Sequence, residues 1–130
     1  MMKKIILLVM SVLFLFGFAG CYAEEIPATY EQITPEEAKG LMSENTDCVI
    51  LDVRTEEEFS EGHIEGAVLI PDYEIGARAE SVLTDKKQLI LVYCRSGRRS
   101  KLASEMLVNM GYTNVKEFGG IIDWPYEIVK

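Results

Sequence analysis

The 130-residue sequence predicts an α/β domain on a mostly parallel central sheet of about five strands, flanked by helices on both faces. Three observations predict it. Strand-like and helix-like segments alternate along the chain, as crossover connections between parallel strands require. Leu89-Ile90-Leu91-Val92-Tyr93 is an unbroken apolar run, the pattern of a strand buried on both faces. Two Thr-x-x-Glu boxes, at Thr34–Glu37 and Thr55–Glu58, mark helix starts, because the threonine and the glutamate cap each other's backbone N–H.

The elements follow in order. Tyr30 to Ile33 is a short edge strand. Thr34 caps a helix with Pro35 at its first position, Ala38, Leu41 and Met42 on its inner face, and its end near Asn45. Cys48 to Leu51 is a strand that finishes in Asp52-Val53-Arg54. Thr55 opens a short helix that Gly62 closes. Ala67 to Ile70 is a third strand, and Tyr73 to Leu83 a helix. After the Asp85-Lys86 turn comes the apolar strand, with Cys94 at its tip. Beyond Ser100, the residues Leu102, Ala103, Met106, Leu107 and Met110 form one helical stripe, stopped by Gly111. Asn114 to Phe118 is the last strand, broken by Gly119-Gly120. Ile121 to Trp124 starts a short terminal helix with Pro125 early in it, and Trp124 packs on the sheet.

The N-terminus reads differently. Lys3 and Lys4 precede an uncharged run from Ile5 to Ala19, short for a membrane span of about 20 residues and suited to a signal-peptide core. Phe18-Ala19-Gly20-Cys21 resembles a bacterial lipoprotein signal. The resemblance implies that residues 1–20 are removed, that Cys21 carries lipid, and that the protein is exported to the cell envelope. Cleavage after Ala23, giving a soluble exported protein, is the alternative. Residues 21–28 are then a tether and residues 29–130 the domain. The formal net charge is −8, and the leader holds two lysines and no acid, so the domain is more acidic still. That balance disfavours nucleic acid and anionic lipid surfaces as partners. The membrane is reached only through the N-terminal lipid.

Against this acidic background, Cys94-Arg95-Ser96-Gly97-Arg98-Arg99-Ser100 is a local positive spot. It joins the carboxyl end of a strand to a helix, where unpaired N–H groups carry partial positive charge. A cysteine there is expected to be a reactive thiolate, since helix N-termini and arginines lower a thiol pKa from roughly 8.5 to about 3.5–7.5. Gly97 permits a backbone that turns N–H groups inward. Ser96 and Ser100 are placed to donate hydrogen bonds to the sulfur, or Ser100 to cap the helix. Asp52 and Arg54 lie at the carboxyl end of another strand, where they pair with each other or with the loop. Arg54 is also a candidate substrate contact. Cys48 is expected to be a buried core thiol. A bond to Cys94 is excluded by a separation of roughly 16 Å along parallel neighbours, against a ~7 Å Cα limit. Cys48, His63 and Cys94 have no metal-ligand spacing, and no nucleotide loop is present.

The Cys-x-x-Gly-x-Arg pattern of the loop resembles the active site of the single-domain rhodaneses. Leu51-Asp52-Val53-Arg54, Glu58-Phe59, Gly62-His63-Ile64, Gly66-Ala67 and Ile70-Pro71 are similar to that family's first motif. Gly111-Tyr112, Asn114-Val115, Gly119-Gly120-Ile121 and Trp124 are similar to its C-terminal one. The chain departs from the family after Trp124, where Pro125 to Lys130 replaces a longer tail.

The resemblance implies a rhodanese-like fold and a sulfurtransferase acting by double displacement. Cys94 attacks the outer sulfur of a small anionic donor such as thiosulfate, sulfite leaves, and a thiol or cyanide then takes the sulfur from the Cys94 persulfide. Arg95, Ser96, Gly97, Arg98, Arg99 and Ser100 bind the anion, with Arg99 on the donor's oxyanion. His63 belongs to a structural turn, and no cofactor or metal is needed. Phosphatases and arsenate reductases of related architecture place arginine six residues after the cysteine; Ser100 stands there, so this loop is one residue too short. A non-catalytic or sulfur-relay module that binds a protein partner is the other reading, and the intact loop argues against a degenerate one.

Overall fold

Both threonine boxes cap helices. Thr34 Oγ1 accepts the Glu37 N–H at 3.1 Å and Thr55 Oγ1 accepts the Glu58 N–H at 3.2 Å, with each glutamate accepting the threonine's own N–H in return. In the computed structural model, which describes residues 29–130, they open α1 (Pro35–Glu44) and α2 (Glu56–Glu61). The remaining elements are β1 (Glu31–Gln32), β2 (Val49–Asp52), β3 (Val68–Leu69), α3 (Ile75–Val82), β4 (Ile90–Cys94), α4 (Arg98–Asn109) and β5 (Val115–Gly120). Single 3-10 turns occupy Asp72–Glu74 and Ile121–Asp123. The expected leader, Cys21 and the whole of the expected tether lie outside the described residues.

The five strands form one all-parallel sheet in the order β1-β5-β4-β2-β3, flanked by the four helices. Every residue of central β4 is buried, as its unbroken apolar run requires. Alternate side chains of β4 feed two cores. Ile90, Val92 and Cys94 pack with Ile75 and Ala79 of α3 and Ala103 and Leu107 of α4. Leu91 and Tyr93 pack with Ala38 of α1, Phe118 and Trp124. Full burial of each such aliphatic side chain contributes about 1.5–3 kcal/mol. Asp52 pairs in register with Tyr93, so the carboxyl ends of β2 and β4 lie side by side, where parallel sheets place their ligands.

Several expectations are corrected. Helix α4 begins at Arg98, two residues before Ser100, because Gly97 in a left-handed conformation (φ 103°) makes the turn. Ser100 is therefore inside the first turn and does not cap the helix. The buried face of α4 is Ser100, Ala103, Ser104 and Leu107, while Leu102 and Met106 of the predicted stripe are exposed. Gly119-Gly120 does not break β5. The strand runs to Gly120 through a bulge, with Gly119 at φ 91°. The terminal helix is a 3-10 turn that ends before Trp124 and Pro125. Cys48 is half-buried at the edge of the second core, and both it and Cys94 are free thiols.

Candidate active site

Cys94 closes β4 and is 1 % exposed. The chain after it curls back over the sulfur, and the Gly97 N–H donates to Cys94 Sγ at 3.0 Å. Ser100, one turn into α4, sets its Oγ 3.3 Å from the same sulfur. Residues 98–100 open α4, so their N–H groups have no partner within the helix. Sγ thus sits in a loop that gives it one backbone donor, the Gly97 N–H, with the positive end of a twelve-residue helix beside it.

The floor of this loop is the end of β5. Cys94 pairs with Gly120, and the Arg95 carbonyl accepts the Ile122 N–H at 3.3 Å. A Cβ on Gly120 would fall 2.0 Å from the Arg95 oxygen and 2.6 Å from Ser96 Cα. Only glycine lets the two backbones approach so closely. Gly120→Ala is expected to cost about 1–3 kcal/mol through overpacking. Relieving that overlap moves the loop by about 1 Å, and a displacement of that size is expected to lower the rate of any reaction at Cys94 by about 10²-fold. Thermal melts and steady-state assays of the variant check both.

The three loop arginines have separate fates. Arg95 and Arg98 are exposed and make no ion pair among the described residues. Arg99 turns to α2 and is held by both oxygens of Glu58, at 2.6 and 2.9 Å. The hydrogen bonds from Arg99 hold the Glu58 carboxyl down at about 2, and those to Glu58 raise the Arg99 guanidinium. A carboxyl lowered on folding stabilises the fold above its unfolded pKa and loses that contribution as pH falls. Stability is therefore expected to drop between about pH 4.5 and about 2 as this pair opens. Glu58→Gln should flatten that segment of a urea-denaturation series. Ser96 is exposed.

Asp52 and Arg54 form a buried pair beside the loop. Arg54 Nη2 lies 2.7 Å from Asp52 Oδ2 and 2.7 Å from the Gly62 carbonyl. Burial pulls the guanidinium down, but the hydrogen bonds and charge of Asp52 outweigh it and the net shift is upward. Burial, with Asp52 beside it, also raises the Tyr93 phenol, whose oxygen accepts the Ile64 N–H at 3.1 Å. This network ties β2, β4 and the chain after α2 together. Arg54 spends its donors on Asp52 and Gly62, yet its edge lines a cavity of about 280 Å³ with Arg95, Ile121, Ile122 and Ile128. His63 lies apart from the sulfur. Its ring stacks on Phe59 with centroids 3.7 Å apart, its Nδ1 is 2.9 Å from the Phe59 carbonyl, and its backbone bridges to Val129. A larger cavity, about 860 Å³ between Lys39, Ile50, Trp124 and Tyr126, includes no residue of the Cys94 loop.

Two acidic residues of the site escaped the sequence reading. Glu58 was read as a capping residue and as part of the first motif, but not as a partner of Arg99, and its grip on Arg99 is tertiary. Glu117 is 2 % exposed, and its Oε1 accepts from Ser100 Oγ at 2.6 Å and from the Gly119 N–H at 2.8 Å. A signal for it existed. Glu117 alternates with Val115 on one face of a strand next to the sheet's centre, where a carboxylate has no water to face.

Residues 34–125 match the rhodanese-like domain family. The thiosulfate sulfurtransferase PspE of Escherichia coli is 41 % identical over 80 residues, covering 62 % of this chain and 77 % of that protein. A sulfurtransferase of Allochromatium vinosum is 33 % identical over 94 residues, covering 72 % of this chain and 86 % of its own. Among solved structures, an Escherichia coli rhodanese with bound anions superposes with a TM-score of 0.60 at 39 % identity, over 63 % of this chain and 96 % of that one.

Proposed function

The chain belongs to the rhodanese-like family, and from that premise we propose that it is a sulfurtransferase that moves sulfane sulfur from thiosulfate or a related donor to cyanide or a thiol through a Cys94 persulfide. The observation that carries this reading is the position of Cys94 Sγ, on the floor of a backbone-lined loop in which Arg95 and Arg98 are exposed and make no ion pair among the described residues.

Each step balances. The Cys94 thiolate forms a bond to the donor's outer sulfur, and the donor's S–S bond breaks with its electron pair leaving on sulfite. Cys94 then holds a persulfide anion. The acceptor's electron pair takes the outer sulfur and Cys94 departs as thiolate. Backbone N–H groups and the helix N-terminus stabilise the anion in both steps without reorganising. Arg95 and Arg98 draw in the donor, while Arg99, engaged by Glu58, holds the loop to α2. Near-complete burial of Cys94 restricts attack to slim donors that enter end-on.

Ile122 and Ile128 are 62 % and 49 % exposed beside Arg95. That apolar rim favours a thiol on a larger molecule, a protein included, as a second kind of acceptor. The leader and Cys21 support placing the protein in the cell envelope on an N-terminal lipid.

The test is intact mass of the reduced full chain before and after thiosulfate. A gain of about 32 Da, one sulfur atom on one cysteine, removed by cyanide, is the expected result. An unchanged mass on folded, reduced protein would overturn the thiosulfate reading.

A further inference from the structure

Beside the Cys94 loop lies the cavity of about 280 Å³, which sulfur transfer to cyanide leaves unused. Ile121, Ile122 and Ile128 form its apolar wall, and Arg95, next in the chain after Cys94, borders it. Ile121 is half-buried, while Ile122 and Ile128 are exposed.

The wall is held in place. The Ile122 N–H donates to the Arg95 carbonyl at 3.3 Å, which ties the isoleucine pair to the loop itself. Ile128 belongs to the tail after Trp124, where the chain departs from the family pattern. That tail is fastened on both sides of Ile128. Val129 and His63 exchange both backbone N–H bonds, at 2.8 and 2.9 Å, and Trp124 Nε1 donates to the Glu127 carbonyl at 3.4 Å. A Cβ on Gly62 would lie 2.9 Å from Ile128 Cδ1, so glycine there gives the isoleucine its seat.

Ile122 and Ile128 contribute little to the core, and fixed apolar surface at a concave site is what a ligand covers. The surrounding charges do not call for a charged ligand. Arg54 is neutralised by Asp52 and Glu58 by Arg99, and the exposed Arg95 and Glu61 are of opposite sign.

We propose that this cavity binds the body of the sulfur acceptor, and that the acceptor is a small thiol whose body is apolar and carries no net charge. Ile122 and Ile128 are then specificity-determining residues. The inference rests on the reading of Cys94 as the sulfur carrier and goes beyond it in naming the class of thiol. The volume is close to the smallest typical ligand pocket, about 300 Å³. It takes one ring or one branched alkyl group, which makes the occupant a small molecule and not a protein face. With the body seated there, the thiol sulfur bonds to the outer sulfur of the Cys94 persulfide. The S–S bond to Cys94 breaks with its electron pair on Cys94, and the acceptor leaves as its own persulfide with the proton it brought. Cyanide has no body to place and gains nothing from the cavity.

The first experiment reads binding without turnover. The full chain carrying Cys94→Ser, labelled at the isoleucine δ1 methyls, is titrated under reducing conditions with phenylmethanethiol and, separately, with methanethiol. Phenylmethanethiol is expected to shift the NMR signals of Ile121, Ile122 and Ile128, and methanethiol at the same concentration to leave them in place. No shift at these three, or shifts confined to Ile50 and Ile64 of the larger cavity, would overturn the proposal.

The second experiment reads selectivity. With thiosulfate as donor, the ratio of kcat/KM for phenylmethanethiol to that for methanethiol is measured for wild type, Ile128→Ser and Ile122→Ser. Each substitution is expected to lower the ratio about tenfold, the discrimination that a small change in an apolar pocket supplies. Each protein is its own reference, so a general loss of activity does not move the ratio. A ratio unchanged in both variants overturns the assignment. Should thiosulfate give no turnover with any acceptor, the methyl signals still decide. Shifts at the three isoleucines then keep the cavity as an apolar-thiol site and remove only the sulfurtransferase reading.

Discussion

Replacing Cys94 by serine is expected to abolish the one-sulfur mass gain and to lower thiosulfate-to-cyanide turnover by roughly 10³-fold or more. A hydroxyl is far less acidic than a thiol and far less nucleophilic toward sulfur, so the first bond does not form. The substitution removes little else. Serine is nearly isosteric, and its oxygen can accept the Gly97 N–H that now reaches Sγ at 3.0 Å. The melting temperature should therefore stay close to wild type, separating lost chemistry from lost fold. Cys48 cannot substitute. It immediately precedes β2, at the amino ends of the parallel strands and away from the Cys94 loop, half-buried, and burial pushes its thiol up. A sulfur adduct retained by Cys94→Ser would sink the assignment of the nucleophile.

Asp52→Ala should be the most destabilising single change at the site, by about 3–5 kcal/mol in urea denaturation. The pair it breaks is 0 % exposed on the Asp52 side and 6 % on the Arg54 side. Three hydrogen bonds shorter than 3.2 Å would be lost from the Arg54 side chain, together with the bond from the Arg54 N–H to Oδ1 at 2.9 Å. What remains is a buried guanidinium held by the Gly62 carbonyl alone. Removing both charges with Asp52→Ala and Arg54→Met is expected to recover part of the loss, because a packed apolar pair avoids the stranded cation. A single variant within 1 kcal/mol of wild type would show that the pair is not a structural tie; about 1 kcal/mol is what an exposed pair contributes.

The parts of the fold read correctly from sequence are those in which neighbours along the chain carry the signal. Thr34–Glu37 and Thr55–Glu58 cap their helices through bonds spanning three residues. Leu89 to Tyr93 announces a strand buried on both faces, and β4 is that strand. The loop was legible because Cys94, Gly97 and the arginines are consecutive. The misreadings share a cause. Gly97 starts α4 through backbone conformation alone, with no side-chain cap to notice. Gly119-Gly120 looks like punctuation locally, but it keeps β5 continuous and leaves room for the Arg95 backbone. Glu58 with Arg99 and Ser100 with Glu117 meet across 41 and 17 residues. No spacing rule connects those partners.

The origin of the loop's floor constrains how the protein can be made. Gly120 follows Cys94 by 26 residues, and among the described residues β1 pairs with β5 alone. A ribosome-bound chain that has just exposed Cys94 has no surface on which to fold the loop around it, and its first strand has nothing to pair with. The sheet is therefore completed only once β5 has emerged, and the loop around the sulfur takes its final shape when that strand docks.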